Sequence, residues 1–230
     1  MTTSEKQSYK STVYNHVARR ASELYAGARA NRGPAVAALA KLRRAANTEV
    51  GDDAAAWQIA FLGFSASDYD SEYPSSAETG VYRALTLFAL HQQSKSEPMH
   101  VDGPSLGAAI GRLARVGEAD SPSEPVVRRF NALVTATSTE EFRWHLRSLV
   151  GQLRADSIPL DYGRLADDLS VLAGRTRDGE SKDEARRRVQ LRWSRDFSRP
   201  QKQTADGPES TSSDATDSSA KQSTSESTEN

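Results

Sequence analysis

Three arginines in the segment 138–172 have the type and spacing that phosphate binding requires. At about 100° per residue, Arg143, Arg147 and Arg154 fall within about 40° of one another on one side of a predicted helix. The planar guanidinium group can donate two parallel hydrogen bonds to a phosphate, so a row of arginines suits a nucleic-acid backbone. The alternative is an ordinary solvated basic face that binds no ligand.

The predicted helix that carries this row also has a continuous apolar stripe. The stripe consists of Phe142, Leu146, Leu149, Val150 and Leu153. A helix with this pattern buries the stripe and keeps the arginines on its flank at the surface. A short connection at 157–159 then leads into a second helix, which Asp161 is expected to cap.

Cations in other predicted helices extend the candidate surface. Together with the row, the candidate nucleic-acid-binding residues are Arg32, Lys41, Arg43, Arg44, Arg112, Arg128, Arg129, Arg143, Arg147 and Arg154. Some of these cations, such as Arg43 and Arg44, would also favour the helix dipole at a C-terminus. Because no segment resembles a helix-turn-helix or a ribonucleoprotein sheet, we expect contacts to the backbone of nucleic acid without sequence readout.

Residues that could support catalysis or bind a metal lack the spacing that such sites need. No His-Glu-x-x-His motif occurs among the four histidines, which are His16, His91, His100 and His145. The absence of cysteine excludes disulfides, thiolate metal sites and cysteine nucleophiles. Asp167 and Asp168 are interpreted as an exposed helix face. We therefore expect no enzymatic activity, no metal and no cofactor.

The charge of the chain is unevenly distributed along its 230 residues. Residues 201–230 carry two lysines and six acidic residues, a net charge of −4, whereas residues 1–200 carry 28 basic and 25 acidic residues, a net charge of +3. The tail has no large apolar residue and is expected to be disordered. No apolar run approaches the ~20 residues of a membrane span, and no signal peptide is evident, so we expect a soluble cytoplasmic protein.

Helix-start signals recur through the chain and predict an all-α fold. Four Ser-x-x-Glu sequences precede amphipathic segments and are possible capping boxes: Ser75–Glu78, Ser121–Glu124, Ser138–Glu141 and Ser181–Glu184. In the second, Pro122 would occupy the first helical position. We expect about nine helices in two packed bundles, residues 1–100 and 101–199, followed by a disordered acidic tail at 200–230.

Several segments, taken in order, resemble one known family. They are LAKLRRA at 39–45, the helix around Trp57, SLGAAIGRLA at 105–114, VVRRFNAL at 126–133, FRWHLRSLVGQLRADSIPLDYGRLADDL at 142–169 and VQLRWSRDF at 189–197. Their order, spacing and helical context are similar to the small subunit of the type I-E CRISPR Cascade complex, the CasB family. The chain departs from the family at Ser148, where a second basic residue is expected, and in its acidic tail.

The resemblance implies a non-catalytic, all-helical subunit of a crRNA-guided antiviral complex. The implied partners are the large subunit, the backbone subunits and a second copy of the chain, together with crRNA, the target strand and the displaced non-target strand. Guide pairing would supply sequence specificity, and modest backbone contacts would stabilise the R-loop. The alternative function is a helical protein–protein adaptor with a solvated basic surface.

Overall fold

Helices dominate the structure, a computed structural model that describes residues 10–65, 71–116 and 121–199. Within these ranges, backbone pairing of the β type is limited to one isolated bridge between His100 and Leu160, and the all-α prediction is confirmed. The predicted tail at 200–230 lies outside the described residues. The described helices are α1 (Thr12–Arg29), α2 (Gly33–Ala45), α3 (Ala54–Phe61), α4 (Ser76–His91), α5 (Leu106–Leu113), α6 (Glu124–Thr135), α7 (Thr139–Ala155), α8 (Tyr162–Leu172) and α9 (Lys182–Ser198).

Three of the four predicted helix starts are confirmed. At α4, the Ser75 hydroxyl accepts from the Glu78 amide at 3.2 Å and the Glu78 carboxylate accepts from the Ser75 amide at 2.7 Å. The same reciprocal capping box begins α9. At α7, Ser138 accepts from the amide of Glu141, whose carboxylate accepts from the neighbouring Thr137 amide instead. Each cap satisfies backbone donors that the first helical turn leaves unpaired.

The prediction for the start of α6 is wrong. This helix begins at Glu124, its N-cap is Ser123, and the Ser123 side chain makes no capping hydrogen bond. Pro125 takes the place in the first turn that the sequence pattern assigned to Pro122. Proline is tolerated there because the first amides of a helix have no intrahelical partner. Pro122 and Pro125 both follow a residue that can precede a helix, so the sequence alone did not determine where α6 begins.

The core is organised around α4, which packs against α1, α2, α3, α7 and α8. Its Val81, Leu85 and Phe88 are fully buried. α4 lies especially close to α8, since a Cβ added at Gly80 would be 2.5 Å from the carbonyl oxygen of Ala166. Only glycine permits this approach of the two helices. None of the described helices has both the length and the hydropathy required to span a membrane.

α8 connects the two halves of the chain. The hydroxyl of Tyr14 on α1 donates to Asp161 at the start of α8 at 2.8 Å. The buried hydroxyl of Tyr162 lies 3.0 Å from Nδ1 of His91 on α4. The predicted division into bundles at 1–100 and 101–199 stays a prediction. In the structure, α8 from the second range packs against α1 and α4 from the first range.

Candidate nucleic-acid interface

α7 places the arginine row between its buried and its exposed face. Leu146, Leu149, Val150 and Leu153 are buried against the neighbouring helices, as the apolar stripe predicts. Trp144 marks the outward face, and 65% of its surface is exposed. The row of Arg143, Arg147 and Arg154 lies on the flank between them, and all three side chains are half-buried. The side chains therefore reach across to neighbouring elements while remaining accessible to solvent.

The first arginine of the row is anchored by an acidic residue. Arg143 forms an ion pair with Glu49, which lies in the segment between α2 and α3. Glu49 also pairs with Arg83 on α4, with an N–O distance of 2.9 Å. Partial burial raises the pKa of Glu49, but hydrogen bonding and attraction to Arg143 and Arg83 outweigh it, so the pKa lies below its ordinary value. One carboxylate thus holds two guanidinium groups together.

The other two arginines of the row have neutral partners. Arg147 donates to the side-chain oxygen of Asn47, and Arg154 donates to the side-chain oxygen of Gln93 at 2.7 Å. A neutral amide positions a guanidinium group without cancelling its charge. Arg147 and Arg154 therefore keep their full charge for an anionic ligand, whereas Arg143 shares Glu49 with Arg83.

The row continues past Gln93 into a second cluster of cations. Gln93 lines a cleft of about 480 Å³ together with Arg29, Arg43 and Lys95. Lys95 donates to the Ser157 hydroxyl at 2.8 Å, just beyond the end of α7. The chain therefore brings cations from α1, α2, α7 and the segment after α4 to one surface. A basic surface of this extent suits several consecutive phosphates.

Four candidate residues lie on or next to α2. Within the described residues, the side chains of these four make no hydrogen bond or ion pair to protein: Arg32, Lys41, Arg43 and Arg44. Arg43 lines the cleft beside Gln93 and thus joins the row. Arg32 precedes the helix, about 16 Å along the axis from Arg43 at 1.5 Å per residue. It is therefore separated from the row by most of the length of α2.

The candidates on α5 and α6 do not line the cleft beside Gln93. Arg129 donates to Gln152 at 3.5 Å, and Gln152 lies about 180° around α7 from Arg143. Arg128 pairs with Glu124 within the same helix at 2.7 Å. Arg112 is exposed on α5. The structure thus does not bring these three residues to the arginine row.

Sequence reasoning missed several cations of the basic surface. They are Arg29, Arg83 and Lys95, none of which forms part of a basic cluster in the sequence. Arg83 had one signal that could have identified it, because it is the only arginine or lysine within the long apolar segment of α4. A charge in such a segment needs a partner, and Glu49 supplies it.

The carboxylates that could have suggested a catalytic site have structural roles. Asp161 caps α8, as predicted, by accepting from the Arg164 amide at 3.1 Å. Asp168 was predicted on an exposed face, and this is wrong, because it is buried between Arg192 and the indole of Trp193. Burial raises the pKa of Asp168 above its ordinary value despite the nearby Arg192. No cluster suited to a metal ion occurs among the described residues.

Comparisons with known proteins give consistent matches. A family model described as CRISPR-associated protein Cse2 matches residues 38–197. The solved structure of CasB from Thermobifida fusca is 32% identical, with a TM-score of 0.62, over 81% of this chain and 98% of that chain. A comparison with curated protein sequences finds no match.

Two more distant structures share the fold. A CRISPR-associated protein of the Cse2 family from Thermus thermophilus is 21% identical, with a TM-score of 0.57, over 80% of this chain and 96% of that chain. A chain of a CRISPR RNA-guided surveillance complex is 20% identical, with a TM-score of 0.51, over 80% of this chain and 92% of that chain.

Proposed function

The chain belongs to the family of the CRISPR-associated protein Cse2, and we propose that it is the non-catalytic small subunit of a crRNA-guided surveillance complex, the type I-E Cascade. In this function it contacts the backbones of the crRNA and the target strand. It also holds the displaced non-target strand of the R-loop. Its protein partners are the large subunit, the backbone subunits and a second copy of itself.

One observation carries the proposal. The α7 row faces the α2–α3 connection and the segment after α4, where cations from α1, α2, α7 and that segment form one surface. Only Arg143 in that row has an acidic partner among the described residues. A surface with excess positive charge and no base-reading element suits nucleic-acid backbones of any sequence.

The energetics of R-loop formation explain why such contacts matter. The guide–target heteroduplex is about as stable as the DNA duplex that it replaces, so the exchange is nearly balanced. A few phosphate contacts are then sufficient to shift the equilibrium towards the open form. A small basic subunit can supply these contacts without reading the sequence.

Reconstitution of the complex tests the proposal. The chain is co-expressed with the protein products of its neighbouring genes, and the purified assembly is analysed for bound crRNA and for R-loop formation on a matched duplex. We expect crRNA to co-purify and R-loop formation to weaken when the chain is omitted. An assembly that forms R-loops equally well without the chain would contradict the proposal.

A further inference from the structure

A cleft of about 350 Å³ lies between α4, α7 and the C-terminal end of α8, and its chemistry differs from that of the open row beside it. We refer to it as the α4–α7 cleft. Its lining includes the buried apolar side chains of Leu87, Leu146 and Leu169. The half-buried Phe142 adds an aromatic ring. The volume is at the lower end of the ~300–1,000 Å³ typical of pockets for small organic groups.

Cations surround this apolar lining. Four arginines line the cleft against a single carboxylate, Glu49. Arg83 and Arg143 share Glu49, and burial followed by repulsion from Arg143 lowers the pKa of Arg83. Arg186 donates to the Ala136 carbonyl at 2.6 Å, which leaves its charge uncompensated. The cleft therefore has a net positive charge of three and attracts an anionic group with an apolar or planar body.

The arginine row and the cleft share residues. Arg143 and Arg147 belong to both, so a strand whose phosphates contact them passes directly over the opening. We propose that the α4–α7 cleft receives one unpaired base of a nucleic-acid strand whose phosphates lie along the arginine row. This inference rests on the function proposed above, because it requires a strand on the row.

The chemistry of a nucleotide matches the two parts of this site. Its phosphate is bound by guanidinium groups, whose planar forks also stack on bases. Its base has an apolar planar face for Phe142 and the leucines. Duplex DNA would have to extrude a base at a cost in unpairing and unstacking, whereas a displaced single strand has bases free to enter. The cleft should therefore favour single strands.

The test compares two oligonucleotides of equal length and charge. One is an oligothymidylate, and the other is the same sugar-phosphate chain without bases. Their affinities for the full chain are measured by fluorescence anisotropy at two salt concentrations. We expect the oligothymidylate to bind about 5- to 150-fold more tightly, in line with the contribution of about 1–3 kcal/mol from one stacked base.

A cleft-filling variant and a matched control assign the preference to this cleft. Ala173 lines the cleft, is exposed and is the C-cap of α8, with φ −80° and ψ 0°. Ala30 is exposed and is the C-cap of α1, with nearly the same backbone angles, φ −79° and ψ 10°. Ala173→Trp should abolish the preference for bases while the abasic chain binds as it does to wild type. Ala30→Trp should keep the preference. Melting curves verify that both variants fold.

Thr139→Trp fills the same cleft from the start of α7 and repeats the test independently if Ala173→Trp unfolds. Equal binding of both oligonucleotides by wild type would overturn the inference while leaving the proposed function intact. A base preference that survives filling of the cleft would also overturn the inference. This holds even if the cleft-filling variant fails to assemble with protein partners, because the cleft would then be a protein contact and not a base site. If neither oligonucleotide binds in a salt-dependent way, the proposed function fails as well.

Discussion

Arg143 on α7 forms an ion pair with Glu49, which lies 94 residues earlier in the chain. The same carboxylate pairs with Arg83 on α4, so it joins three segments that are distant in sequence. It also reduces the positive charge at one end of the arginine row. The Arg143–Glu49 pair therefore has two effects: it holds α7 against the α2–α3 connection, and it lowers the net positive charge of the candidate interface.

Replacing Glu49 by glutamine should strengthen nucleic-acid binding. Glu49→Gln removes one negative charge beside Arg143 and keeps the shape of the side chain. Exposed charge pairs contribute about 1 kcal/mol or less, so we expect affinity for an oligonucleotide to rise by up to about fivefold and to depend more steeply on salt. Anisotropy titrations at two salt concentrations measure both effects. Binding that is unchanged or weaker would show that Glu49 does not oppose the ligand.

Truncating Leu149 separates folding from binding. Leu149 is fully buried in the apolar stripe of α7, on the side away from the row. Leu149→Ala should lower the free energy of unfolding by about 2–5 kcal/mol because it leaves a cavity. The protein that remains folded should bind nucleic acid with wild-type affinity. Urea denaturation measures the free energy of unfolding. A loss below about 1 kcal/mol would contradict the assigned packing of α7.

Local patterns predicted the helices well because caps and apolar spacing depend on residues close in sequence. The Ser181–Glu184 signal, for example, predicted the start of α9, and the helix begins at Lys182 directly after its N-cap Ser181. The partners of the row could not be predicted in this way. Asn47 and Gln93 lie 100 and 61 residues from the arginines that contact them, and only tertiary packing brings them together. The burial of Asp168 was missed for the same reason, since its partners are on another helix.

Stability should fall as the solution becomes acidic. Burial lowers the pKa of His91 from 6.5 to about 4, and burial also lowers the pKa values of His16 and His100. Between pH 6.5 and about 4, the unfolded chain binds a proton at His91 that the folded chain does not. The free energy of unfolding should therefore decrease by about 2 kcal/mol from about pH 7 to about pH 5 through His91 alone.

Urea denaturation at neutral pH and near pH 5 measures this decrease. His91→Gln should reduce the loss of stability between the two pH values, because glutamine does not titrate. His145→Gln is the comparison, as His145 lies on the opposite side of α7 from the row and is not part of the core around Tyr162. If the free energy of unfolding of wild type is the same at both pH values, the prediction that burial of neutral His91 destabilises the protein in acid is contradicted.

Deleting residues 201–230 should leave the stability of the protein unchanged. This segment lies outside the described residues, and its sequence has a net charge of −4 and no large apolar side chain. The melting temperature should therefore stay within experimental error of the full chain. Affinity for nucleic acid should increase, because the deletion removes charge that repels phosphate. A large decrease in melting temperature would show that the tail contributes to folding.

Isolated protein should bind nucleic acid weakly, with strong salt dependence and without sequence preference. The body of residues 1–200 has a net charge of only +3, and the cations of α1, α2, α7 and the segment after α4 form one surface without a base-reading helix. Competition titrations with unrelated sequences at several salt concentrations check both properties. Binding that does not respond to salt, or that selects one sequence, would contradict contacts to the backbone.

Arg147 is the residue that tests most directly whether the α7 row holds phosphates. Among the described residues, the Arg147 side chain hydrogen-bonds to the neutral Asn47 side chain and has no ion-pair partner, so its replacement should change the free energy of unfolding by on the order of 0.5 kcal/mol or less. Arg195→Glu on α9 is the control, since it reverses an exposed charge at a residue outside the candidate set. Melting curves of the isolated subunits confirm that each variant folds.

The decisive measurement is target-duplex binding by assembled complexes that carry Arg147→Ala, Arg147→Glu or Arg195→Glu. We expect Arg147→Ala to weaken R-loop formation and Arg147→Glu to weaken it further, because the glutamate adds repulsion from phosphate. The Arg195→Glu complex should bind like wild type. If the Arg147→Glu complex forms R-loops as well as wild type, the row is a solvated basic face and the account is contradicted.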